Sequence, residues 1–285
     1  MRRILAWILF VAFLAGPVAP AEQAFAQQND AGDPADAAVT EKAEELGRLW
    51  GLLQQTQGPE ERIALAEQAL KLVAELRQGS QERVDAEARA WLWWTLGVAY
   101  DQRAGGERAD NLERAIAAYE QALQATARDT SAEQWATLQS NLGAAYWNRI
   151  RGDRADNMER RLAAFEAALT AFTREATPAK WAETQHYLGA AYLDRVNGYR
   201  AENVEKAIAA FEAALGVRTR EALPKEWAET QHSLGAAYLD RVNGDRAENV
   251  EKAIAAFEAA LGVRTREALP KEWAETQHSL GAAYS

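Results

Sequence analysis

Leu-Gly-x-Ala-Tyr occurs five times in this chain, as Leu96 to Tyr100, Leu142 to Tyr146, Leu188 to Tyr192, Leu234 to Tyr238 and Leu280 to Tyr284, each copy 46 residues after the last. A fixed period of this length constrains the fold more than any other feature. Each unit is one supersecondary element that buries its apolar face only against its neighbours. Asp194–Tyr238 and Asp240–Tyr284 differ only at Tyr199 versus Asp245, the mark of a recent duplication. The units beginning near 86 and 132 have diverged further and keep the same skeleton.

Each unit reads as two helices. In the copy from Pro178 to Leu223, Pro178 suits the first helical position, with Thr177 placed to cap it. Trp181, Gln185, Leu188 and Tyr192 then recur at helical spacing. Asn197-Gly198 marks a turn, and Asn203 stands where it would cap a second helix. Along that helix Val204, Ile208, Phe211 and Leu215 form an apolar stripe opposite Glu205, Lys206 and Glu212. Pro59, Pro178, Pro224 and Pro270 all fall at expected helix starts, so from residue 59 onward no proline interrupts a helix.

The pattern resembles the tetratricopeptide repeat. That family places Leu-Gly-x-x-Tyr on its first helix and Ala-x-x-x-Phe-x-x-Ala on its second, followed by proline. Here these are Leu188, Gly189 and Tyr192, then Ala207, Phe211 and Ala214, then Pro224. Leu234, Gly235 and Tyr238 repeat the first set. The unit is longer than the family's usual 34 residues, with the excess in the Arg195–Asn203 turn and the Arg218–Leu223 connection. This is similar to the long-loop variety found in bacterial signalling and caspase-like peptidase proteins. Arg161 departs from the pattern where an alanine is expected, which implies a looser interface there. The resemblance implies an all-α, right-handed superhelical α-solenoid of about five helix pairs plus a terminal helix. The units are approximately 41–85, 86–131, 132–177, 178–223, 224–269 and a half unit 270–285.

The first 26 residues are different in kind. Met1-Arg2-Arg3 is basic, Ile4 to Leu14 is apolar, and Ala24-Phe25-Ala26 has the small-x-small form of a signal-peptidase site. The apolar run is shorter than the ~20 helical residues of a bilayer span. We read residues 1–26 as a cleaved signal peptide, residues 27–40 as a disordered leader, and the protein as periplasmic or secreted.

Composition excludes several functions. The net charge is −10, and losing Arg2, Arg3 and Glu22 with the signal peptide makes it −11. A nucleic-acid binder needs basic surface to displace phosphate counterions, so nucleic acid is not the expected partner. No cysteine is present, which removes disulfides, thiolate metal sites and a cysteine nucleophile. Ser233 sits beside His232 on a helix, with no Gly-x-Ser-x-Gly elbow to suggest a hydrolase. His186, His232 and His278 each follow a glutamate by three, as in di-iron bundles, but successive repeats set such motifs side by side rather than facing. We therefore expect no metal and no cofactor.

The family register assigns a concave groove to positions on the first helices. It places Trp91, Trp94 and Trp147 there, which break the repeat pattern, together with Glu183, His186, Tyr187 and Asp194, then Glu229, His232 and Asp240. Trp135, Trp181, Trp227 and Trp273 recur with the repeat and are expected in the core. The implied function is a non-catalytic scaffold that holds a peptide or helix of a partner protein. Its acidic groove would favour a basic segment. Two other readings stand beside it: the sensor or targeting part of a larger peptidase or signalling system, and a self-associating structural element.

Overall fold

The computed structural model describes residues 34–76, 82–128 and 131–285. The signal peptide and the beginning of the leader lie outside them. Among the described residues there are eleven α-helices and no strand. They are α1 (Pro34–Gln55), α2 (Pro59–Leu76), α3 (Glu82–Gln102), α4 (Arg108–Ala125), α5 (Ala132–Asn148), α6 (Arg154–Leu169), α7 (Pro178–Asp194), α8 (Arg200–Leu215), α9 (Pro224–Asp240), α10 (Arg246–Leu261) and α11 (Pro270–Ala283). No helix among the described residues is long and apolar enough to cross a membrane. Helix α1 begins at Pro34, inside the stretch expected to be a leader. The alanine-rich run Ala35 to Val39 has few helix-breaking residues and continues the helical register of the repeat domain.

The described residues form two compact units, one up to residue 138 and one over 139–285, divided within α5. In the first, α1 to α4 pack in chain order. In the second, α6 to α11 do the same, the neighbour-on-neighbour arrangement of an α-solenoid.

The physical centre of each pair is a glycine facing an aromatic ring. Phe165, Phe211 and Phe257 are fully buried, and a Cβ built on Gly143, Gly189 or Gly235 would come within 2.7–2.8 Å of their rings. Only hydrogen at that position lets the helices approach so closely. In the first unit Tyr119 takes the same place against Gly97. Leu188, Tyr192, Ala207, Ala214, Leu234 and Tyr238 are buried around these notches in one continuous cluster with Phe211 and Phe257, Ala214 excepted as a separate buried position.

The inter-helix turn is locked differently from the expectation. Helix α8 starts at Arg200, so Asn203 lies inside its first turn instead of capping it. The buried Asn203 amide donates to the Asn197 carbonyl at 2.9 Å, tying the turn to the helix, and Gly198 enters that turn with a φ of +80°. Asn157 and Asn249 make the same bond one repeat away on either side. Thr177 does precede α7, but its hydroxyl accepts from the Thr173 amide and does not cap the helix. Repeat is tied to repeat by recurring polar clamps. Arg195 grips Glu159 with two bonds of 2.8 Å and Arg241 grips Glu205 with bonds of 2.8 and 3.0 Å, while the Tyr192 and Tyr238 hydroxyls donate to Glu166 and Glu212.

Candidate partner-binding face

The recurring tryptophans are not core residues. Trp135, Trp181, Trp227 and Trp273 are each half-buried. The guanidinium carbons of Arg128, Arg220 and Arg266 lie 4.5, 5.8 and 5.8 Å from the Trp135, Trp227 and Trp273 rings. Each ring sits in the first turn of its helix.

In the first unit, Trp91 on α3 packs against Trp50 on α1 with ring centroids 4.0 Å apart. Trp94 is half-buried, with its indole Nε1 enclosed. Both have more of their surface packed than the groove assignment implies.

The second unit brings together three of the sequence-selected residues: Trp147 at the end of α5, and Tyr187 and Asp194 on α7. The link is Arg161 on α6, which is 3% exposed. Its guanidinium carbon lies 3.4 Å from the Trp147 ring centroid. Its Nη1 donates to Asp194 Oδ2 at 3.0 Å and its Nη2 to the Tyr187 carbonyl at 3.4 Å. Tyr187 stacks on Phe165 with centroids 5.8 Å apart. Where the other repeats have Ala115, Ala207 and Ala253, Arg161 is buried in the interface. Sequence reasoning missed this role; the signal was a cation at a position where every equivalent is alanine. Burial pushes Arg161 down to about 10 and raises the Asp194 carboxyl, because each loses hydration of its charged form. Trp147 remains 51% exposed and Tyr187 36% exposed.

The histidines are corrected by the structure. His186 is buried, with its Nδ1 3.2 Å from the Thr230 hydroxyl and its Nε2 3.7 Å from Glu229. His232 repeats the arrangement against Thr276 at 3.1 Å. Burial, reinforced by Arg218, Arg264 and Arg161, pushes His186 down to about 3. Burial and Arg264 push His232 down to about 4. Neither gains charge near pH 6. They are junction residues, because the helix of the following repeat covers the face they occupy.

The acidic field is also weaker than expected. Asp194 pairs with Arg161, Asp240 pairs with Arg200, and Glu229 lies 3.6 Å from Arg218. Glu183 is exposed. Beside Trp147, an open cleft of about 370 Å3 is lined by Ile150, Arg154, Met158, Arg161 and Asp194. Among the described residues, no group of three or more histidine or acidic side chains is placed to hold a metal ion.

No family model matches the chain, and no curated protein matches it. Among solved structures it is similar to BtubC (BKLC) from P. vanneervenii, with 21% identity over 82% of this chain and 92% of that one, at a TM-score of 0.53. That likeness concerns the fold: both are helical-repeat chains of solenoid-like build.

Proposed function

We propose that this chain is an exported, non-catalytic scaffold of the tetratricopeptide kind, which binds a segment of a partner protein on the face carrying Trp147 and Tyr187. The family assignment rests on Gly189 and Gly235 receiving Phe211 and Phe257, the packing its signature residues serve. Export rests on the basic, apolar and small-residue pattern of residues 1–26.

The observation that carries binding is that Trp147 and Tyr187 are exposed aromatics at positions where the neighbouring repeats have other residues. The equivalents of Trp147 are Asp101, Leu193 and Leu239, and those of Tyr187 are Asn141 and Ser233. The repeat folds without either ring, so packing does not demand them. Partly exposed Trp and Tyr held by a rigid neighbour are the side chains that most often anchor an interface.

Capture from a periplasmic extract with the wild type and with Trp147→Leu and Tyr187→Ser tests this. Both substitutions install a residue that the same fold already carries. A specific partner should bind the wild type and lose at least tenfold in affinity with Trp147→Leu. Equal capture by all three folded proteins would sink the assignment of this face.

A further inference from the structure

The Trp147–Arg161 cleft has a chemistry that the rest of the chain does not predict. In a protein of net charge −10, three guanidinium groups and one carboxylate line it: Arg149, Arg154 and Arg161 against Asp194. Arg149 also holds Asn157 at 3.1 Å, and Arg161 spends its Nη atoms on Asp194 and Tyr187 while its enclosed Nε has no hydrogen-bond partner. The apolar wall is Trp147, Ile150 and Met158. Ile150 is 64% exposed, and its equivalents in the next two repeats, Val196 and Val242, are 65% and 73% exposed. An exposed β-branched residue thus recurs at the same turn position in three consecutive repeats, where isolated exposure would mean nothing.

We propose that this edge binds an extended protein segment in which acidic side chains alternate with aliphatic ones. A carboxylate enters the cleft at Arg154, with Arg161 holding Asp194 out of its way, and aliphatic neighbours cover Trp147 and the Ile150–Val196–Val242 row. The proposal rests on the scaffold reading and gives its partner a chemistry. Charge complementarity selects the acid: a cationic, half-enclosed cleft lowers the cost of burying a carboxylate and raises that of burying an ammonium group. The row of aliphatic residues selects an extended chain over a small anion, which would fill the cleft and leave the row bare. This reverses the expectation of a basic ligand. Three of the four acids meant to attract one, Asp194, Asp240 and Glu229, already face the chain's own arginines.

The test uses the full protein and three blocked peptides, alternating leucine with glutamate, glutamine or lysine, followed by the tryptophan indole N–H resonances. The glutamate peptide should bind at least tenfold tighter than the glutamine peptide and shift the Trp147 signal. Arg161→Ala and Arg154→Gln should each remove most of that preference. Arg161→Ala restores the residue of the other repeats, and its melting curve checks that it folds. Equal binding of the glutamate and glutamine peptides, or preference for lysine, overturns the proposal. So does a glutamate preference that survives both substitutions, or no binding of any peptide. If these fail while Trp147→Leu still abolishes partner capture, the scaffold reading stands and only the acidic chemistry falls.

Discussion

The Nδ1 of His186 and the hydroxyl of Thr230, 44 residues apart in sequence, lie 3.2 Å apart across a repeat junction. The hydroxyl's single hydrogen goes to the Glu226 carbonyl at 2.8 Å, and Arg218 donates to the same oxygen at 3.0 Å. A threonine hydroxyl has one donor and two acceptor sites. The imidazole must therefore donate through Nδ1–H, leaving Nε2 without a proton. A second proton would face Glu229 at 3.7 Å, but burial of the ring and the charge of Arg218 outweigh that carboxylate, so the junction holds the neutral ring. His232, Thr276 and Arg264 repeat it; one repeat earlier, Ser140 meets Thr184 and Phe172 replaces the arginine.

Stability should fall as the pH drops below about 6.5, with these histidines as a cause. Their folded-state values, about 3 and about 4, lie below the ordinary 6.5. Between those values and 6.5 the unfolded chain binds protons that the folded chain does not, so acid favours unfolding. The limiting slope is about 1.4 kcal/mol per pH unit for each ring. Urea unfolding at pH 7, 6 and 5 should show this decline, and His186→Ser with His232→Ser should flatten it. An unchanged slope in the double variant would contradict the burial of the two rings.

Two glycines in identical sequence should respond oppositely to alanine. At Gly235 a Cβ would meet the Phe257 ring at 2.7 Å, and overpacking of this kind costs about 1–3 kcal/mol. At Gly281 nothing lies within 4 Å, so helix propensity alone acts, and alanine gains up to about 1 kcal/mol, less near a fraying end. Thermal melting of Gly235→Ala and Gly281→Ala gives the comparison.

Removing Asp194–Leu239 should leave a folded, shorter protein. The deletion joins Leu193 to Asp240, which presents the same aspartate to Arg161, and offers His186 the pair Thr276 and Arg264 in place of Thr230 and Arg218. Circular dichroism should show helix retained and a lower melting temperature, because one repeat and one interface are lost. Loss of all helical signal would argue against a modular array.

Asp194→Asn should destabilise the protein by about 1–3 kcal/mol, since it leaves the buried Arg161 without its carboxylate; the partial exposure of Asp194 keeps the figure below that of a fully buried pair. Adding Arg161→Ala should recover part of the loss, because the cation that needed the partner is gone. Denaturant titration of the two single variants and the double closes the cycle. Simple additivity would mean that the pair is not coupled.

Much of the fold was legible because its causes are local. The Pro-marked helix starts, the period of 46 and the glycine-to-aromatic pairing follow from backbone limits and 3.6-residue spacing. The site was less so. Trp147, Tyr187 and Asp194 stood out as departures from the repeat, but Arg161, which joins them, was read only as a missing alanine. Its length lets it span from α6 to both α5 and α7, and pattern alone does not say where a long side chain ends.

Pro224–Tyr238 and Pro270–Tyr284 separate the two kinds of information, being the same fifteen residues. The sequence alone determines that both are helical, start at proline and align Leu, Gly and Tyr on one stripe, because these depend on residues within a turn or two. It does not distinguish Gly235, pressed against Phe257, from Gly281 with nothing within 4 Å. Nor does it distinguish His232, covered and hydrogen-bonded to Thr276, from the exposed His278. Those differences belong to the tertiary structure: burial and pairing are set by side chains 22 to 44 residues away, which only the packed repeats bring into reach.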